Sequence, residues 1–184
     1  MSISLEHVSG PHGRQSSEHL IVTEGADDAH FLNEMLLDIN ADQDQVGICY
    51  VGGHTEISRF LGVVTKSQDY TQGRVKRIVV VRDSDSDRSI TLRECDQYFQ
   101  ILGIDRPEPG EFVRSAERLF GLYLFPDCVN SGYLENLLME APSDNERMNQ
   151  SRAFINAASA DVPNLDKLPK RICQSYLASC SSPL

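Results

Sequence analysis

The spacing of apolar residues predicts alternating strands and helices through most of the chain. Residues 19–23, HLIVT, form a short apolar run that stops at Gly25, as a buried strand would. Apolar residues then recur at helical spacing up to Ile39. Asp27 and Asp28 precede them, where acidic side chains favour the positive end of a helix dipole. The pattern therefore predicts a strand followed by a helix.

The same order recurs twice in the next part of the chain. Residues 46–51 read as a strand, a double glycine provides a turn, and a helix is expected over 55–66. Residues 77–82, RIVVVR, form the most strand-like run, and a helix is expected over about 89–102. Consecutive β-branched residues are typical of a central parallel strand that helices cover on both faces. These repeats indicate βαβ units.

The rest of the pattern predicts one more strand and further helices. A fourth strand is expected over 121–125, and a helix over about 133–139 follows Gly132. Residues 141–151 are polar and loop-like, and a helical segment begins at about 152. We expect an α/β fold, a three-layer sandwich with a mainly parallel sheet of about four strands flanked by helices. Residues 1–17 read as a flexible lead-in and 18–184 as a single domain.

Composition places the chain among globular intracellular proteins. The 184 residues are 40% hydrophobic and 24% charged, which is enough apolar material for a core. The five cysteines are odd in number and form no CxxC pair, so free thiols in a reducing compartment are expected. No apolar stretch approaches the roughly 20 residues that span a bilayer. We expect a cytoplasmic protein with no membrane contact.

The net charge of −10 restricts how the protein can meet nucleic acid. Nonspecific binding needs lysines and arginines that displace counterions from the phosphates. Any contact with DNA or RNA is therefore expected to be local. A divalent ion held by carboxylates would reverse the sign of the charge at that point.

Three acids follow predicted strands and are the leading candidates for chemistry. Glu24 follows the first strand, and Asp83 and Asp85 follow the third. The carboxyl ends of parallel strands share one edge of a sheet, so these side chains are expected to meet there. Clustered carboxylates repel unless a cation compensates them, and Mg²⁺ or Mn²⁺ suits oxygen ligands. The alternative is that residues 83–88, DSDSDR, form a solvated turn.

These residues resemble the TOPRIM domain of topoisomerases, primases and overcoming-lysogenization-defect nucleases. That family has a glutamate after its first strand and a DxD motif after its third. Here Glu24-Gly25, with Asp28 four residues after the glutamate, matches the first motif, and Asp83-Ser84-Asp85 matches the second. The resemblance spans about residues 20–138 and is strongest to small, stand-alone relatives of those nucleases.

The resemblance implies a division of roles among the acids. Glu24 would be a general acid/base or a metal ligand, and Asp83 and Asp85 would bind Mg²⁺ or Mn²⁺. A basic residue near the phosphate would be Lys170 or Lys167. The implied catalytic set is Glu24, Asp83, Asp85 and Lys170, and the implied metal set is Glu24, Asp28, Asp83, Asp85, Asp87 and Glu135.

Three functions remain open at this point. The first is a metal-dependent nuclease-like or phosphodiester-transfer protein acting on DNA or RNA. The second is a non-catalytic TOPRIM-like module that binds or regulates a protein partner, or forms a homodimer. The third is a phosphatase-like enzyme with Asp83 as an aspartyl nucleophile. Topoisomerase and primase activities need accessory domains that 184 residues do not accommodate.

Two further features have both a functional and a structural interpretation. His54 follows Gly52-Gly53, a turn that would present amides to a phosphate but that also needs no ligand. Basic residues are concentrated around the third strand, where they would either receive a phosphate backbone or balance the carboxylates. These are Arg74, Lys76, Arg77, Arg82 and Arg88.

Overall fold

The structure, a computed structural model, describes residues 6–7, 17–39 and 45–140. The strands are β1 (Glu6–His7), β2 (His19–Thr23), β3 (Val46–Tyr50), β4 (Arg77–Asp83), β5 (Phe112–Ser115) and β6 (Arg118–Phe125). The helices are α1 (Ala26–Asp38), α2 (His54–Val64), α3 (Gln68–Thr71), α4 (Arg88–Ile101) and α5 (Leu134–Glu140). Strands and helices alternate, so the fold is α/β.

The six strands form one sheet in the order β1-β3-β2-β4-β6-β5. β2 lies between β3 and β4 and is parallel to both, with Ile21 level with Ile48 and Val79. β1 is also parallel to β3, whereas β5 and β6 form an antiparallel hairpin. The sheet is therefore mostly parallel, with β2 and β4 near its centre.

The chain divides into two compact units. The first comprises Met1–Arg82 and Ser89–Leu124, and the second comprises Asp83–Arg88 and Phe125–Leu184. The last residues of β4 and β6 thus belong to the second unit. No helix in the described parts of either unit is long and apolar enough to cross a membrane.

The core of the first unit is built on one face of the sheet. Even-numbered residues of β2 and β4 share this face because side chains alternate along a strand and the registers align. Even-numbered residues of β6 belong to the same core. They pack with one side of α2 and one side of α4 in a single apolar cluster. Its strand residues are Leu20, Val22, Ile78, Val80, Phe120, Leu122 and Leu124, and its helix residues include Ile57, Leu61, Cys95, Tyr98 and Phe99.

The α/β fold with a mostly parallel sheet and flanking helices confirms the central prediction from sequence. The sheet has more strands than the four expected, because β1 and β5 also pair. β5 gives a weak signal, since its residues are largely exposed and its hairpin turn uses Ala116 at a φ of 51° instead of glycine. The short helix α3 was not predicted. The helical segment from about 152 lies outside the described residues.

Leu61 provides a test of the core, because its side chain is fully buried between α2 and the sheet. We expect Leu61→Ala to lower the free energy of unfolding by about 2–5 kcal/mol through lost apolar contact and a residual cavity. Urea unfolding followed by circular dichroism measures the change. Ile90→Ala, which truncates an exposed residue of α4, is the control and should change stability by less than about 0.5 kcal/mol. Equal losses in both variants would contradict this core.

Candidate functional site

Glu24 is held at the end of β2 by the backbone of two neighbouring turns. Its carbonyl oxygen accepts hydrogen bonds from the amides of Gly52 and Gly53 at 3.0 and 3.1 Å. Asp28, in the first turn of α1, accepts a bond from the amide of Gly25 at 3.1 Å. The turn that carries Glu24 is therefore fixed on both sides, and Asp28 has a local role in closing it.

Arg82 of β4 lies beside Glu24 in the first unit. Its side chain is almost completely buried, with 1% exposed. Its Nη1 donates to Oε2 of Glu94 at 2.8 Å and to the hydroxyl of Tyr98 at 3.0 Å. Its Nε lies 3.7 Å from Oε2 of Glu24. A buried guanidinium needs such partners, because an uncompensated charge in the interior is strongly destabilising.

His54 completes this cluster at the start of α2. Its carbonyl oxygen accepts a hydrogen bond of 3.0 Å from the hydroxyl of Tyr98. Its Nδ1 lies 4.0 Å from Glu24 Oε1, and its Nε2 lies 4.0 Å from Glu94 Oε1. The imidazole therefore spans two carboxylates. The side chains of Glu24, Glu94 and His54 are 28%, 35% and 46% exposed, so solvent reaches them but not Arg82.

Burial and charge shift the pKa values in this cluster. Burial by itself lowers the pKa of Arg82, but Tyr98, Glu94 and Glu24 outweigh it and raise that pKa further above its ordinary value. Burial raises the pKa of Tyr98, although Arg82 opposes the shift. Burial also raises the pKa of the neighbouring Cys95 thiol to about 12. Arg82 is thus permanently charged, while Tyr98 and Cys95 stay neutral at neutral pH.

In the second unit, Asp83 and Ser84 are held by hydrogen bonds to the later part of the chain. Oδ1 of Asp83 accepts a bond of 2.9 Å from the amide of Leu134, the first residue of α5. The amide of Ser84 donates to the carbonyl of Phe125 at 3.1 Å, and the Ser84 side chain is fully buried. The interpretation of this segment as a solvated turn is therefore wrong for its first two residues.

Asp85 is held in an uncommon backbone conformation. Its φ of 55° lies in the left-handed region, and it forms an antiparallel bridge with Gly132. Gly132 has a φ of 148°, and a Cβ there would lie 2.8 Å from Oδ1 of Asn136. That oxygen accepts a hydrogen bond from the amide of Tyr133 at 2.9 Å. Gly132 is thus required by both conformation and space.

Arg88 is engaged with the loop that precedes α5. Its Nη2 donates to the carbonyl of Cys128 at 2.8 Å, and its amide donates to the hydroxyl of Ser131 at 3.2 Å. These bonds connect the two stretches of the second unit. Arg88 therefore has a structural role in that unit.

Asp127 organises the turn after β6. Its Oδ1 accepts hydrogen bonds from the amides of Val129 and Asn130 at 2.9 and 2.8 Å. The backbone amides of Asn130 and Val129 hold the pKa of this exposed carboxyl below its ordinary value. The turn is an Asx-type turn stabilised by a charged side chain.

The predicted site residues fall into both units. Glu24 and Asp28 belong to the first unit, and Asp83, Asp85, Asp87 and Glu135 to the second, so the meeting of Glu24 with Asp83 stays a prediction. Asp87 is exposed, and Glu135 lies in the first turn of α5. Within residues 6–7, 17–39 and 45–140, no three His, Cys, Asp or Glu side chains are grouped as ligands of one ion. Lys167 and Lys170 lie outside the described residues.

Three of the basic residues around β4 form ion pairs with acids of the first unit, two at the surface and one buried. Arg74 pairs with Asp69, Lys76 with Glu117, and Arg82 with Glu94. Arg82 therefore balances carboxylates, as one of its two interpretations had it, and is too buried to receive a phosphate backbone.

Two members of the first cluster, Glu94 and Tyr98, were missed by the sequence analysis. The sequence signal for them is the position of Arg82 in β4. Arg82 lies two residues after Val80 and four after Ile78, so it is on the same, buried face of the strand. An arginine on the buried face of a strand needs acidic or hydroxyl partners, and the helix that covers that face can supply them.

Comparison with known proteins gives one match. A family model described as "Protein of unknown function (DUF3226)" matches residues 18–183. No curated protein and no solved structure matches the chain.

The raised pKa of Cys95 predicts a loss of stability in alkali. The unfolded thiol ionises near its ordinary pKa of about 8.5, whereas the folded thiol keeps its proton up to about pH 12. Between these values the unfolded state binds fewer protons, so stability falls as pH rises. We expect Cys95→Ala to show a shallower decline between pH 8 and 11 in urea unfolding. Equal slopes for the variant and the wild-type protein would contradict this.

Gly132 predicts a contrast between two glycine substitutions. We expect Gly132→Ala to lower the free energy of unfolding by about 1–3 kcal/mol, because it forces a strained φ and displaces Asn136. Gly62→Ala is the matched control, since nothing lies within 4 Å of its added Cβ and α2 favours alanine. That control should stabilise the protein by up to about 1 kcal/mol. Thermal and urea unfolding measure both changes. A change in the free energy of unfolding of the same sign in the two variants would contradict this prediction.

Proposed function

Since the chain belongs to the DUF3226 family, whose function is unknown, we propose its activity from its own residues: Mg²⁺- or Mn²⁺-dependent cleavage or transfer of phosphodiester bonds in nucleic acid. The proposal includes a TOPRIM-like three-layer fold. Its support begins with the order of motifs, a glutamate after β2 and a DxD motif at the end of β4. β2 and β4 are adjacent parallel strands, which is the pairing that the proposal requires.

The observation that carries the proposal is the anchoring of the DxD segment within the second unit. Asp83 is fixed by the amide of Leu134, and Asp85 is held in a left-handed conformation by its bridge to Gly132. Such conformations cost roughly 1–3 kcal/mol and concentrate at functional sites.

The donor chemistry of this segment fits the metal. Carboxylate oxygens are the ligands that Mg²⁺ and Mn²⁺ prefer, and Mg²⁺ is usually held by one or two carboxylates together with waters and substrate phosphates. Asp83 and Asp85 would be those ligands, with Asp87 and Glu135 as further acids of the same unit. When bound, the ion polarises the phosphate and stabilises the leaving oxygen.

Glu24 is assigned the role of general acid/base in this proposal. Its carboxylate lies near the fixed positive charge of Arg82 and beside the imidazole of His54. Arg82 stabilises the ionised carboxylate, which is the form that accepts a proton. This environment already supplies a cation to Glu24, which favours the acid/base role over that of a metal ligand.

The proposal is tested by assaying cleavage of supercoiled plasmid DNA and single-stranded RNA with Mg²⁺ or Mn²⁺. Asp83→Asn keeps an oxygen that can accept the bond from Leu134 but removes the charge, so the variant should fold. We expect it to lose more than the roughly 10–100-fold in activity that outer-shell partners of metals contribute. Asp105→Asn, the same change at an exposed acid of the first unit, should leave activity within twofold. Absence of cleavage by the wild-type protein with both ions and both nucleic acids would overturn the proposal.

The second candidate is a non-catalytic TOPRIM-like module that binds or regulates a protein partner. The net charge of −10 and the contacts of Arg82 and Arg88 within the protein favour it, because these two guanidinium groups are already engaged. Calorimetry that detects Mn²⁺ binding to the wild-type protein and its loss in Asp83→Asn, without any cleavage, would support this candidate.

A further inference from the structure

The cluster around Arg82 combines one inaccessible charge with three accessible proton-exchanging groups. Arg82 is 1% exposed, whereas Glu24, Glu94 and His54 all reach solvent. A ligand can therefore touch the two carboxylates and the imidazole but not the guanidinium. Any effect of Arg82 on chemistry must pass through the groups that it holds.

The contacts of Arg82 indicate its role. Glu94 and Tyr98 bind the same nitrogen, Nη1, at hydrogen-bond distance, so they fix the guanidinium. The Nε of the same guanidinium lies 3.7 Å from Oε2 of Glu24, within ion-pair distance. The anchored arginine thus presents a fixed positive charge to the Glu24 carboxylate.

Tyr98 extends the same arrangement to His54. Its hydroxyl accepts from Arg82 and donates to the His54 carbonyl, both at 3.0 Å. The contacts thus form a closed ring that runs from Arg82 through Tyr98, His54 and Glu24 back to Arg82. Glu94 contacts both Arg82 and His54. Two carboxylates therefore lie beside one guanidinium.

We propose that Arg82 is a positioning residue that, anchored by Glu94 and Tyr98, holds the carboxylate of Glu24 in its reactive orientation beside His54. The inference rests on the acid/base role proposed above for Glu24. Arg82 touches no substrate in this scheme. Its planar guanidinium matters because one nitrogen is anchored while another faces Glu24, and a lysine ammonium cannot reproduce both contacts.

The test compares Arg82→Lys and Tyr98→Phe with a matched control. Arg82→Lys keeps the buried charge and Tyr98→Phe keeps the ring, so both should fold. Arg106→Lys is the control, because Arg106 also pairs with an acid of α4, Asp96 at 2.7 Å. Cleavage of plasmid DNA with Mn²⁺ is measured at a fixed interval below the unfolding temperature of each variant.

We expect Arg82→Lys to lower kcat by about 10- to 100-fold with KM changed less than twofold, because a misplaced acid/base group slows the chemical step. Tyr98→Phe should lower kcat in the same direction, and Arg106→Lys should leave it within twofold. The split between kcat and KM separates positioning from a merely structural role, which would leave the folded variant fully active. An Arg82→Lys kcat within twofold of the wild-type value overturns the inference.

A second measurement keeps this inference distinct from the proposed function. Carbodiimide coupling of glycine ethyl ester, followed by peptide mass spectrometry, reports the reactivity of each carboxyl without any cleavage assay. We expect labelling of Glu24 to rise at least threefold in Arg82→Lys and Tyr98→Phe and to stay constant in Arg106→Lys. Glu111, an exposed acid on a different loop, is the internal reference. Unchanged labelling of Glu24 overturns the positioning role even if the wild-type protein cleaves no nucleic acid.

Discussion

A guanidinium buried near the end of β4 requires acidic or hydrogen-bonding partners from the elements around it. Removing one partner of a buried ion pair typically costs about 3–5 kcal/mol, because the remaining charge is left uncompensated. Arg82 meets this demand with Glu94 and Tyr98 of α4 and with Glu24 after β2. The position of α4 against the sheet and the course of the chain after β2 are both tied to this one charge.

The second unit is organised by a different kind of interaction. Its acidic segment is held through main-chain groups, the amide of Leu134 to Asp83 and the carbonyl of Phe125 to Ser84. Main-chain partners do not themselves depend on side-chain identity, although the bridge from Asp85 requires glycine at position 132. The two units thus place acids in two electrostatic settings, one beside a permanent cation and one among backbone amides.

The sequence predicted the parallel core of the fold well, because β2, β3 and β4 are apolar runs with helical segments between them. β5 was missed, since an exposed edge strand carries little apolar pattern and its turn lacks the usual glycine. Glu24 and the DxD motif were identified from their places after strands. Glu94 and Tyr98 were not, because a helix with polar residues on several sides does not show which of them meets a buried arginine.

The conformation of Asp85 has a consequence for how this family of sequences can vary. A φ of 55° costs glycine nothing, and it costs aspartate and asparagine less than it costs larger or branched side chains. The backbone therefore limits the residue types at this position before any chemistry does. A natural relative with asparagine here would keep the same backbone conformation while losing the carboxylate charge. The backbones of an active and an inactive relative would then be superimposable at this position.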